Sequence, residues 1–193
     1  MNENLNREAA LALLREYNES EALVNHGLAV SGVMTHFAII EKEDPEYWGI
    51  VGLLHDLDYG KYPMEHCVKV VEILKDHGYD DDFIQSVVSH GYGICSDAKP
   101  SHQMEKILYA IDELAGLITA CAYMRPSKSV NDLEVKSVKK KFKTASFAAG
   151  VDREVITSGS EIAGYSLDDL MKETILGMRA VADDIGLGTM ENE

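Results

Sequence analysis

The chain has 193 residues, 46% of them hydrophobic and 26% charged, which is about one globular domain and too apolar a composition for a disordered chain. Its 18 lysines and arginines against 33 acidic residues leave a net charge of −15. This excludes a general binder of nucleic acid or anionic membrane, whose phosphates the surface would repel, but not a small phosphorylated ligand held by a metal or a local basic cluster. Helical signals then run through the chain. Leu5 to Tyr17 carries Leu11, Leu13, Leu14 and Tyr17 among good helix formers. Ser20 to Lys42 repeats Leu23, Val24, Leu28, Val30, Val33, Phe37 and Ile40 at three- and four-residue steps and stops at EKEDP. Glu46 to Leu57 reads as a buried helix broken by DYGKYP, and a helix is expected from Pro63 to Asp76, ended by Gly78. Asp80–Asp82 start a helix over Phe83 to Ser89, and Gly91 to Pro100 reads as a loop. Ser101 is the expected cap of a long helix to Tyr123, and helices near Val130–Phe142, Asp152–Ala163 and Leu167–Ile185 follow. No alternating strand and no repeat occurs. The expectation is an all-α single-domain helical bundle, with a core over about residues 20–123 and a C-terminal helical extension over about 124–193.

Three cysteines, Cys67, Cys95 and Cys121, contain no CxxC spacing, so they imply neither a disulfide framework nor a zinc knuckle and fit a reducing compartment. The opening MNENLNREAALALL has no basic start or long apolar core, and runs such as IVGLL are short of a membrane span. The expected location is the cytoplasm, with no membrane partner.

The chemistry concentrates around His55-Asp56, at the end of an apolar helix in GLLHDLDYGK. A borderline nitrogen donor beside a hard carboxylate suits zinc, manganese or iron, and the carboxylate is able to bridge two ions. The dipeptide alone is weak, but His26 precedes it, His66 and His90 follow it, and Asp112 sits inside the apolar helix MEKILYAIDELAGLITA. A bare buried carboxylate costs several kcal/mol unless paired or metal-bound, so Asp112 is either a ligand or a flank residue paired with a lysine such as Lys106. The bland alternative for His66 and His90 is a helix-end histidine bonded to a carbonyl. His36 and His77 read as structural residues, and His102 lies about 15 Å along its helix from Asp112, too far to share a coordination shell.

His26 in NHGLAVSGVM, His55-Asp56 in GLLHDLDYGK and Asp112 in YAIDELAGLI together resemble the HD-domain metal-dependent phosphohydrolases over roughly residues 20–122. The resemblance implies an all-helical bundle and a divalent transition metal, one or two ions among manganese, iron, zinc, cobalt and nickel. His26, His55, Asp56 and Asp112 would hold the first ion. His66 in MEHCVKVVEIL and His90 in VVSHGYG match the extra ligands of the binuclear branch. The paired histidines and Gly-Tyr-Pro motif of the cyclic-dinucleotide phosphodiesterases are missing. The stretch RPSKSVNDLEVKSVKKKFK and FAAGVDRE also resembles a small group of stand-alone predicted HD hydrolases.

Phosphate calls for positive groups. Lys61, just after the motif, and Arg125 and Lys128, just after the Asp112 helix, are the expected substrate contacts, with Asp56 and Lys61 placed in catalysis. Lys136, Lys139, Lys140, Lys141 and Lys143 read as a solvated face, and Asp58 and Glu113 as candidate proton relays. The expected function is hydrolysis of a small phosphate ester or anhydride, a nucleotide first among them. The alternatives are a silent nucleotide-binding module or a di-iron oxygenase on the same fold.

Overall fold

The computed structural model describes residues 6–188, so Leu5 lies outside the described residues. Nine α-helices and no strand occur among them: α1 Arg7–Tyr17, α2 Glu21–Glu41, α3 Pro45–Leu54, α4 Lys69–Asp76, α5 Asp81–Val88, α6 Gln103–Tyr123, α7 Val135–Phe142, α8 Arg153–Ala163 and α9 Leu167–Ala180. Local chemistry starts most of them. Asn6, Asp44, Asp80, Asp152 and Ser166 each accept backbone N–H groups of a first helical turn, and Pro45 fills the position where a missing N–H costs nothing.

The long helices α2 and α6 form the centre. Val30, Val33 and Phe37 of α2 and Ile107, Ile111, Leu114 and Ile118 of α6 have no solvent exposure, each contributing about 1.5–3 kcal/mol on burial. Helix α3 packs along α2, α8 lies on α6, and α9 lies on α2. The α2–α3 approach depends on Gly52, where a Cβ would stand 2.8 Å from Met34 Cγ and 3.0 Å from the Val30 carbonyl. Among the described residues α2 is the one helix long and apolar enough to cross a membrane, but most of its apolar stretch is buried against these neighbours.

Several boundaries differ from the sequence reading, among them the start of α7, expected near Val130 and found at Val135, and the end of α3, expected at Leu57 and found at Leu54. The expected helix over 63–76 is a 3-10 turn at Pro63–Glu65 followed by α4, because Cys67 adopts a left-handed backbone (φ 64°) and the Val70 N–H goes to the buried Asp58 side chain at 2.8 Å. Ser101 is not the cap of α6. His102 caps it, its Nδ1 accepting the Met104 N–H, while Glu105 draws in the Ser101 and His102 N–H groups. The last helix stops at Ala180, and turns follow that bring the Leu187 carbonyl to the Val130 N–H and the Ser129 hydroxyl. Arg179 donates to the Val130 and Leu133 carbonyls, so the C-terminal segment is pinned to the α6–α7 connection.

Candidate metal centre

Five separate pieces of chain converge on one cleft. Helix α2 supplies His26, and the end of α3 supplies His55 and then Asp56 in the turn beyond it. The 3-10 turn before α4 delivers His66, the 3-10 turn Ser89–Gly91 after α5 delivers His90, and α6 supplies Asp112. His26 Nε2 lies 2.9 Å from Asp112 Oδ1 and 3.8 Å from Asp56 Oδ2. His55 Nε2 lies 3.3 Å from Asp112 Oδ1 and 3.4 Å from Asp56 Oδ2. The other Asp56 oxygen, Oδ1, lies 3.4 Å from both His66 Nε2 and His90 Nε2, which are 3.2 Å from each other. Donors bound to one ion through bonds of about 2.0–2.2 Å stand roughly 3.0–3.5 Å apart, so both sets have the spacing of a shared cation. Each Asp56 oxygen faces a different set.

The histidine rings are fixed from behind. His55 Nδ1–H donates to the Gly52 carbonyl at 2.8 Å and His90 Nδ1–H to the Val87 carbonyl at 2.7 Å. His66 Nδ1–H donates to Asp58 Oδ1 at 2.8 Å, and Asp58 is fully buried. With Nδ1 carrying the proton, Nε2 presents its lone pair to the cleft, as a metal ligand requires. His55 Nε2 is fully buried and completes no hydrogen bond, the only such side-chain atom among the described residues. An orphaned buried acceptor facing two carboxylates is costly without a cation, and the donor set fits one.

The charges of the cluster point the same way. Burial opposes charge on His55, yet the Asp56 and Asp112 carboxylates raise its pKa well above the ordinary value. Burial pushes Asp56 and Asp112 upward, and His55 beside them outweighs it, holding both below the usual carboxylate range. His66 loses from burial but gains more from Asp58, and its pKa rises to about 10. Without a cation these groups hold protons where one would sit.

The cleft opens into a cavity of about 390 Å³ whose walls include Tyr59, Ile94, Cys95, Tyr109, Glu113, Gly116 and Val155 besides the donors. Glu113 accepts the Asp152 N–H at 3.1 Å, and burial raises its pKa. Cys95 has its pKa lowered to about 5, chiefly by a hydrogen bond from the Cys67 thiol. A larger cavity of about 540 Å³ lies elsewhere, lined by Arg7, Thr35, Glu46 and Asp184 among others, and contains no histidine.

The structure brings His26, His55, Asp56, His66, His90 and Asp112 together, and Asp112 meets histidines rather than Lys106. Lys61, Arg125 and Lys128, the expected phosphate contacts, are not among the residues that line the cleft. Lys61 is exposed with Nζ 4.5 Å from the centre of the Tyr17 ring, drawn to that aromatic face. Arg125 makes a two-pronged pair with Asp132 at 2.7 Å. Lys128 is exposed in a left-handed turn, and no lysine or arginine lines the cavity among the described residues. Asp58 does not line it either; it orients His66. His36 pairs with Glu173, and His77 bonds the Ile73 carbonyl of its own helix. Tyr59, Tyr109 and Cys95 were not singled out from sequence. Cys95 alone left a signal, in the loop directly after His90.

Fold and donors together define an all-α bundle built around a candidate metal centre. Residues 23–117 match the family described as HD domain, which supports membership of the HD-domain superfamily. No curated protein and no solved structure matches the chain.

Proposed function

We propose that the protein is a phosphohydrolase that uses two divalent transition-metal ions to cleave a phosphate ester or anhydride of a small molecule, a nucleotide being the favoured class. The observation that carries this reading is Asp56, whose two oxygens face two separate donor sets completed by imidazoles, those of His55, His66 and His90 with Nδ1 already engaged. His26, His55, Asp56 and Asp112 would hold one ion, and Asp56, His66 and His90 the other. Bound there, the ions would lower the pKa of a coordinated water toward about 7 and offset charge on phosphoryl oxygens. That second task falls to them because no lysine or arginine lines the cavity among the described residues. Glu113, half-buried at the wall where burial raises its pKa, is the side chain placed to pass a proton to a leaving oxygen. Tyr59, Ile94, Tyr109 and Val155 offer apolar surface for the organic part of the substrate. With both donor sets intact, nothing favours a silent binding module.

The test is elemental analysis of protein purified without chelator, followed by phosphate-release assays on nucleoside mono-, di- and triphosphates. Near two transition-metal equivalents with phosphate release is expected. Asp56→Ala should lose both ions and all turnover, since that side chain serves both sets. Turnover retained in that variant would sink the assignment.

A further inference from the structure

The reading above makes no use of Cys67 and Cys95, which lie 28 positions apart in the chain and yet meet beside the second donor set, Sγ to Sγ at 2.6 Å. Cys67 Sγ is 4.0 Å from His90 Nε2, and Cys95 lines the same cavity as Asp56, His66 and His90. Donor atoms of His66, Cys67 and Cys95 all lie within 4.8 Å of one another.

Two unusual pieces of backbone place these sulfurs. Cys67 is held at φ 64°, a left-handed conformation that costs a non-glycine residue about 1–2 kcal/mol. That twist turns Cys67 inward directly after His66 in place of continuing a helix. The loop after His90 is folded back on itself, with the Gly91 carbonyl accepting the N–H groups of Ile94, Cys95 and Ser96, each at 3.0 Å. A Cβ at Gly91 would overlap both sulfurs, so a larger residue there would have to displace them. Backbone held in costly conformations beside polar donors is a feature of binding sites more than of packing.

We propose that Cys95, whose sulfur shares a donor group with His66, supplies a thiolate ligand to the cation at that histidine, and that Cys67 is the positioning residue packed against its sulfur. The inference rests on the two-ion reading. A sulfur donor shifts the preference of that position toward softer ions such as zinc, iron or cobalt and away from manganese, which favours oxygen ligands. The two positions would therefore differ in metal taste, one held by imidazole and carboxylate alone, the other with sulfur added.

The test uses the full chain, reduced with a phosphine and loaded with cobalt(II), read by elemental analysis, absorption and X-ray absorption spectroscopy. The expected result is a near-ultraviolet sulfur-to-cobalt charge-transfer band and a sulfur shell at about 2.3 Å. Cys95→Ser should lose both signals, keep the first cobalt equivalent and bind the second about tenfold or more weakly. Cys67→Ser should keep the band, and Cys121→Ser should match wild type. Bound cobalt with only nitrogen and oxygen neighbours overturns this proposal and leaves the two-ion reading standing. Absence of bound cobalt overturns both, and the elemental analysis separates the cases. The wild-type sulfur shell decides the matter even if Cys95→Ser fails to fold. A band lost in Cys67→Ser but kept in Cys95→Ser refutes the assignment. So does a count of one free thiol in place of three on protein never treated with reductant and unfolded in chelator, because the sulfurs would then be joined to each other.

Discussion

Asp58→Asn changes one atom of a residue with no solvent exposure and should weaken one ion selectively. The carboxylate accepts two buried donors, His66 Nδ1–H on Oδ1 and Val70 N–H on Oδ2, both at 2.8 Å. An asparagine has one acceptor oxygen and one NH₂ group. The Val70 N–H cannot move without unwinding the start of α4, so the oxygen should turn to it and leave the NH₂ facing His66. His66 then has to accept at Nδ1 and carry its proton on Nε2, where the lone pair is needed. Changes to partners that orient metal-bound histidines weaken metal affinity about 10–100-fold, or about 1.4–2.8 kcal/mol. Competition against a chelator of known affinity, resolving the first and second equivalents, is the assay. The second equivalent should weaken by that factor while the first, held by His26, His55, Asp56 and Asp112, stays within about twofold. An unchanged second equivalent, or equal weakening of both, would refute the reasoning. Asp58→Ala should add a stability loss of about 1–3 kcal/mol from the stranded Val70 N–H.

Three further outcomes are expected. His66 in the metal-free protein titrates near 10 against an ordinary 6.5, so its stabilisation is complete below pH 6.5 and is lost as pH rises toward 10. Metal must displace that proton, so metal affinity should rise over the same window and offset the loss; from pH 6 to 9.5 the melting temperature should fall without metal and stay nearly level with saturating metal, and parallel falls would count against the assignment. Gly52→Ala forces a Cβ against Met34 and the Val30 carbonyl and disturbs the carbonyl that orients His55, so it should cost about 1–3 kcal/mol and weaken the first ion, as calorimetry and metal titration would show. Glu113→Gln should keep both ions but lower turnover on a substrate with a poor leaving group by about 10²-fold or more, with little effect on an activated ester; equal loss on both esters would remove Glu113 as the acid.

The helices were legible because apolar residues recur at helical steps and polar side chains stand at the starts, as with Asp44-Pro45 and Asp80. The candidate donors were legible for a related reason. His55-Asp56 and Asp112 are ionisable groups in apolar helical surroundings, where a charge needs a partner, and their order along the chain with His26 resembles the HD-domain pattern. Basic residues carried no such signal. Lys61, Arg125 and Lys128 follow the motif helices in sequence, but a flexible cation near a site in the chain finds whichever partner is closest in space, here Tyr17 for Lys61 and Asp132 for Arg125.

The sequence by itself determined the all-α class, because helices depend on periodicity, and its resemblance to the HD-domain family pointed to the histidines and aspartates as candidate donors. Tertiary structure decided the rest. It set which Asp56 oxygen faces which histidines, which imidazole nitrogen is free, that Asp58 stands behind His66, and that Cys67 and Cys95 meet. These facts join residues from five segments of chain, and periodicity reports the face a residue occupies but not what that face meets.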